Sequence, residues 1–198
     1  MLAQSGKCTS ELSGSIDLSA IGGEEQAAEG DDPASKPAPA ARPGFCRIVL
    51  KIEAANADPL LHGYLPVRLS RIAALAGAGR GTLTVAVVDE RVMGEMHARY
   101  HGGTGTTDVL TFDHRDHRDA PLEADVVVCI DEATRQAVAR GHDTRDEILL
   151  YAVHGLLHLM GYDDHDPQSA AAMHTREDEL LTAAGVGTIY HAGGCRVD

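Results

Sequence analysis

Three histidines near the C-terminal end of the chain, His154, His158 and His165, have the type and spacing to hold a metal ion. His154 and His158 are four residues apart, so on a helix they project from one face, about 6 Å from each other along the axis. The residues around them, from Ile148 to Met160, are apolar on nearly every face, which marks a helix buried inside a domain. Two histidines in such a wall are, by themselves, more often hydrogen-bonded core residues. Gly161 and the third histidine shift the reading to a metal, because the glycine ends the helix and the short turn beyond it returns His165 to the pair. Three imidazole nitrogens suit one Zn²⁺ per chain and leave the fourth tetrahedral position open to water, as in catalytic zinc sites. Asp163 or Asp164 in that position would make the site structural; as neighbours they would orient an imidazole instead. Gly155 stands where zinc peptidases of the H-E-x-x-H type carry their glutamate base, so peptide hydrolysis by that route lacks its base. A glycine there also permits close approach to the helix.

The elements that must position these residues can be read outward from them. Thr144 followed by Glu147 has the form of a capping box, which opens the histidine helix over about Arg145 to Met160. Asp166 and Pro167 cap and start a last helix, to about Ala184, and so pin the far end of the return loop. Upstream, alternating apolar residues predict a strand over 45–53, and Pro66 predicts the first turn of a helix that stops at Gly77 and Gly79. A strand over Thr82 to Val88, a helix from about Glu90 to Tyr100 capped by Asp89, strands over Asp108 to Phe112 and Ala124 to Ile130, and a helix over Asp131 to Arg140 complete the reading. Helices and strands alternate without a repeat, so the fold class is α/β, or mixed α+β, with helices packed on a small mixed sheet.

Bulk composition narrows the function classes. The 198 residues suit one domain plus tails: a low-complexity, disordered tail over 1–44, a hydrolase domain over 45–185, and a C-terminal tail over 186–198. The formal net charge of -13 argues against a protein that grips nucleic acid through bulk electrostatics. Cys8, Cys46, Cys129 and Cys195 form no C-x-x-C pair, which points to reduced thiols rather than a thiolate zinc site or a redox dithiol. No apolar run reaches membrane-spanning length and no signal pattern opens the chain, so the expected location is the cytoplasm.

The run His154-Gly155-Leu156-Leu157-His158-Leu159-Met160-Gly161-Tyr162-Asp163-Asp164-His165 resembles the signature of the YbeY family of bacterial ribosomal RNA maturation factors. Thr107-Asp108-Val109-Leu110-Thr111-Phe112 is similar to that family's T-D-V-L-S-F strand, and Ala124-Asp125-Val126 to its G-D-I. Gly141-His142, Met173 and Glu177 also fit, so the resemblance spans roughly residues 45 to 184. It implies a zinc-peptidase-like core without the peptidase glutamate. It also implies a zinc-dependent, single-strand-specific endoribonuclease that matures the 3′ end of small-subunit (16S) ribosomal RNA and takes part in ribosome quality control. The implied partners are ribosomal RNA and the small ribosomal subunit, with a ribosomal protein or a ribosome-associated GTPase assisting.

This chain departs from the pattern twice. The family's third histidine falls six positions after the second, whereas His165 falls seven after His158. Either His165 ligates through a longer return, the preferred reading, or an aspartate takes its place. Where the family carries an arginine after the tyrosine of Y-R-G, this chain has His101 after Tyr100. His101 is the expected catalytic residue, as a cation or general acid; its alternative is a solvent-exposed loop residue. Thr107 and Asp108 would position substrate or fix a strand end, and His114, His117, His174 and His191 are assigned no role. The rival functions are an assembly factor with a structural zinc and a metal hydrolase acting on something other than RNA.

Overall fold

The computed structural model describes residues 46–102 and 105–189. The expectations placed on residues 1–44 and on the chain beyond 189, including Cys8, His191 and Cys195, lie outside the described residues. Four strands, β1 (Cys46–Ile52), β2 (Gly81–Val88), β3 (Val109–Asp113) and β4 (Leu122–Cys129), form one sheet in the order β1-β2-β4-β3. β1, β2 and β4 run parallel, and β3 is antiparallel to β4 at the edge. Each parallel step needs a crossover, and the helices α1 (Leu61–Ala76) and α2 (Glu90–His101) lie within those connections. The mixed α/β class expected from the alternation is the observed one.

The sheet is covered on both faces, which explains why β4 reads as nearly continuous valine. Val85, Val87, Val126 and Val128 face the larger core with Leu65, Leu69 and Ile72 of α1 and Ile148, Leu149, Leu156 and Leu157 of the histidine helix α4 (Thr144–Leu159). Val88, Leu110, Val127 and Cys129 face the smaller core with Met93 of α2. Cys46 and Cys129 are buried free thiols. α3 (Ile130–Arg140) follows β4 directly, and α5 (Pro167–Ala183) packs behind α4. Beyond α5 the chain stays docked as far as Ile189, whose backbone N–H donates to Asp178 Oδ1 at 3.0 Å and whose side chain is buried.

Two local expectations are corrected. α1 begins at Leu61, so Pro66 lies inside it, not in its first turn. The lost main-chain donor is outweighed by burial of Leu61, Leu65, Leu69 and Ile72 along one stripe. The N-cap of α4 is Asp143, which accepts from the Arg145 N–H at 2.8 Å, not Thr144. Glu147 does not reach back to a capping box; its fully buried carboxylate accepts from Arg140 Nη1 at 2.8 Å and pairs with His142 Nε2. A buried carboxylate needs a cation and hydrogen-bond donors more than a helix end needs a second cap, so the cluster with Arg140 and His142 wins and ties α3 to α4.

Candidate metal centre

α4 is buried along almost its whole length, and His154 and His158 come off the side that faces the return loop and α5. Their Nε2 atoms stand 3.0 Å apart. Each ring is oriented from behind. His154 Nδ1 donates to Glu177 Oε1 of α5 at 2.7 Å, and His158 Nδ1 donates to the Tyr162 carbonyl at 3.1 Å. Both Nδ1 atoms face acceptor-only partners and therefore carry protons, so the two Nε2 atoms are left facing one another at hydrogen-bond distance. A single cation between them, a proton or a metal ion, satisfies both nitrogens.

The third converging donor is Asp164. Its Oδ1 lies 3.8 Å from His158 Nε2 and its Oδ2 3.8 Å from His154 Nε2. Oδ1 is buried and has no hydrogen-bond partner. His154, His158 and Asp164 form a set whose ligand atoms all lie within 4.8 Å of one another. Two nitrogens on one tetrahedral zinc stand about 3.3 Å apart for Zn–N bonds of about 2.0–2.1 Å, so the observed pair fits such an ion with a small adjustment. Imidazole nitrogens with a carboxylate oxygen are a donor set that suits zinc among other first-row divalent ions.

The structure does not bring His165 into this set. His165 belongs to a second grouping with Asp163 and Asp164, its Nε2 3.2 Å from Asp163 Oδ1 and its Nδ1 4.0 Å from Asp164 Oδ1. The extra residue in the return loop has carried the ring past the pair and set it outside Asp164. His101 closes α2, and its side chain lies outside the described residues.

α5 supplies what the sequence reading missed. Glu177 is buried between two histidines, accepting from His154 Nδ1 with Oε1 and from His174 Nδ1 at 2.9 Å with Oε2. His174, assigned no role, is buried. The i, i+3 spacing of His174 and Glu177 was visible, but that they face α4 was not. At the far side, Thr107 Oγ1 donates to Asp108 Oδ1 at 3.0 Å, and the same oxygen accepts from the Val109 N–H at 2.9 Å, starting β3.

Electrostatics follow from this packing. Burial works against a charged His154, yet Glu177, with Asp108 and Asp164, outweighs it and raises the pKa of His154. Burial and the neighbouring His154 lower that of His158. Burial raises the Asp108 carboxyl above its ordinary range against the pull of His154. Glu177 is held below its ordinary value because the hydrogen bonds from His154 and His174 outweigh its burial.

The charged loop between β3 and β4 covers the end of α4. Arg115 pairs with Asp113 at 2.7 Å and donates to the Leu159 carbonyl at 2.6 Å. The Arg118 guanidinium lies against Gly161, where an added Cβ would stand 2.5 Å from its Nη1. His114, assigned no role, contacts Asp125 of β4 at 2.9 Å through Nε2. Gly155 faces Thr111 and Val126 of the sheet so closely that a Cβ would meet them at 2.9 Å, so no glutamate side chain fits there.

The model of the family described as endoribonuclease YbeY matches residues 61–185. The chain belongs to the YbeY family. The match begins at α1 and holds every residue of the metal centre, while β1 lies before it. The endoribonuclease YbeY of Frankia alni is 39% identical over 125 residues, covering 58% of this chain and 68% of that protein. The endoribonuclease YbeY of Salinispora tropica is 40% identical over 114 residues, covering 51% of this chain and 73% of that protein. The solution structure of TM1509 from Thermotoga maritima superposes with a TM-score of 0.50 at 21% identity, over 75% of this chain and 98% of that one, a likeness of fold alone. Among the described residues no helix is long and apolar enough to cross a membrane.

Proposed function

We propose that the protein is a zinc-dependent endoribonuclease that cuts single-stranded ribosomal RNA, maturing the 3′ end of small-subunit (16S) RNA and taking part in ribosome quality control in the cytoplasm. The observation that carries the reading is the pair of Nε2 atoms 3.0 Å apart, each ring already held through its other nitrogen, in a chain of the YbeY family. His154 and His158 would hold the ion, with a third donor from the 163–165 loop. Among the described residues the converging set has three donors, in keeping with a catalytic site rather than a closed structural one. A zinc ion bound there would bring the pKa of a water molecule towards about 7 and so supply a nucleophile at neutral pH. The chain's own part is orientation. Glu177 holds the tautomer of His154, the Tyr162 carbonyl holds that of His158, and the half-buried rings of His158 and His165 leave the return-loop side approachable.

A polyanion approaching a chain of net charge -13 needs local cations. Arg118 beside Gly161 supplies one at the edge of the site, and His101 is the other candidate. The same acidic balance favours a second reading, an assembly factor docked on the small subunit through a ribosomal protein or an associated GTPase, with zinc in a structural role. Metal analysis of the full chain purified without chelator, together with digestion of ribosomal RNA and of peptides, tests both. Zinc near one per chain, with RNA cleavage abolished in a folded His158→Ala variant, is expected. Loss of the fold in that variant favours the structural reading; the absence of zinc refutes both.

A further inference from the structure

We infer that the third metal donor of this chain is the Asp164 carboxylate and that His165 stands outside the coordination set, making the centre one of two imidazoles and one carboxylate. The inference rests on the metal reading above and sharpens it. Backbone hydrogen bonding decides which residue of the loop turns inward. After Gly161, with φ at 97°, the Tyr162 N–H returns to the Leu157 carbonyl at 3.0 Å while the Tyr162 carbonyl takes the His158 ring. Asp163 then makes a local turn: its Oδ1 accepts from the N–H groups of Asp164 at 2.9 Å and His165 at 3.2 Å. That leaves the Asp163 side chain 54% exposed, and it draws the His165 ring outward beside it.

Asp164 is therefore directed at the imidazole pair, with its side chain only 14% exposed against 34% for His165. Its Oδ1 is buried without a hydrogen-bond donor, 3.8 Å from His158 Nε2 and 4.0 Å from His165 Nδ1. A buried carboxylate oxygen with no donor is costly unless a cation supplies the missing partner. One ion would satisfy the unpaired oxygen and the two opposed Nε2 atoms together.

The donor set has chemical consequences. One carboxylate with two neutral imidazoles leaves a bound divalent cation with a net charge of +1. An oxygen donor also suits Mn²⁺, Fe²⁺ and Co²⁺ as well as Zn²⁺, so the site should accept several first-row ions.

The test uses the full chain, stripped by chelator dialysis and titrated with Co²⁺ alone while its visible absorption is followed, and with Zn²⁺ in competition with a chromophoric chelator. Thermal melts of each apo variant verify the fold. His165→Ala should bind both ions within about threefold of the parent and keep the cobalt spectrum. Asp164→Ala should lose affinity by more than the roughly 10–100-fold that removal of an outer-shell partner costs. Asp164→Asn, which preserves shape, should lose affinity and shift the cobalt bands. Full affinity in the Asp164 variants with loss in His165→Ala overturns the assignment while leaving the metal reading intact. A parent chain that takes up neither ion overturns both.

Discussion

Replacing Gly155 by alanine puts a methyl group into the closest approach between α4 and the sheet. The new Cβ would stand 2.9 Å from Thr111 Oγ1 and 2.9 and 3.0 Å from the two γ-carbons of Val126. Comfortable carbon contacts lie near 3.5–4.0 Å, so helix and strand must part by roughly 0.5–1 Å. Such overpacking costs about 1–3 kcal/mol, and alanine returns about 1 kcal/mol through its better helix propensity. The expected net loss is about 1 kcal/mol, or roughly 2–4 °C in Tm for a chain of this size. Val126 is fully buried, and Val126→Ala costs about 2 kcal/mol by itself through lost burial and a cavity. In that background two of the three close contacts are gone, so adding Gly155→Ala should cost little or restore stability. The coupling would then be at least about 1 kcal/mol. Urea unfolding followed by far-ultraviolet circular dichroism measures it, since the chain has no Trp. An unchanged cost in the two backgrounds, or a stabilising Gly155→Ala in the parent, would refute the close-approach argument.

The remaining predictions concern the site and its supports. Glu177→Gln removes the acceptor charge behind His154 and should weaken zinc binding about 10–100-fold, read by chelator competition; parental affinity would show that Glu177 does not orient the ring. Asp143 is held down to about 2, first by the Arg145 guanidinium and then by the Arg145 N–H. A depressed carboxylate stabilises above its unfolded value, near 3.8, and that contribution is lost as the pH falls from about 4 towards 2. Asp143→Ala should therefore cost about 1 kcal/mol at pH 7, with the gap to the parent narrowing through that window; a gap independent of pH would discount the cap. Arg118→Ala should weaken binding of single-stranded RNA and lower the slope of log Kd against log salt by about one, with melting unchanged; an unaltered salt slope would remove Arg118 from the RNA path.

The features legible in the sequence are those set by local geometry. The i, i+4 spacing puts His154 and His158 on one face of any helix that contains them, whatever packs around it. Asp89 caps α2 as expected, through the Val92 N–H, because a cap involves neighbours in the chain. Gly155 excluded the peptidase base by its identity alone. The tertiary structure decided the rest. Glu177 lies 23 residues beyond His154, and only the packing of α5 on α4 brings it to the ring. The motif of Thr144 and Glu147 has the form of a capping box, but burial beside Arg140 and His142 gave Glu147 a stronger use. Residue counting left His165 and an aspartate open as the third donor. The turn made by Asp163 directs Asp164 inward and His165 outward, because backbone hydrogen bonds, not spacing along the chain, set the direction of each loop side chain.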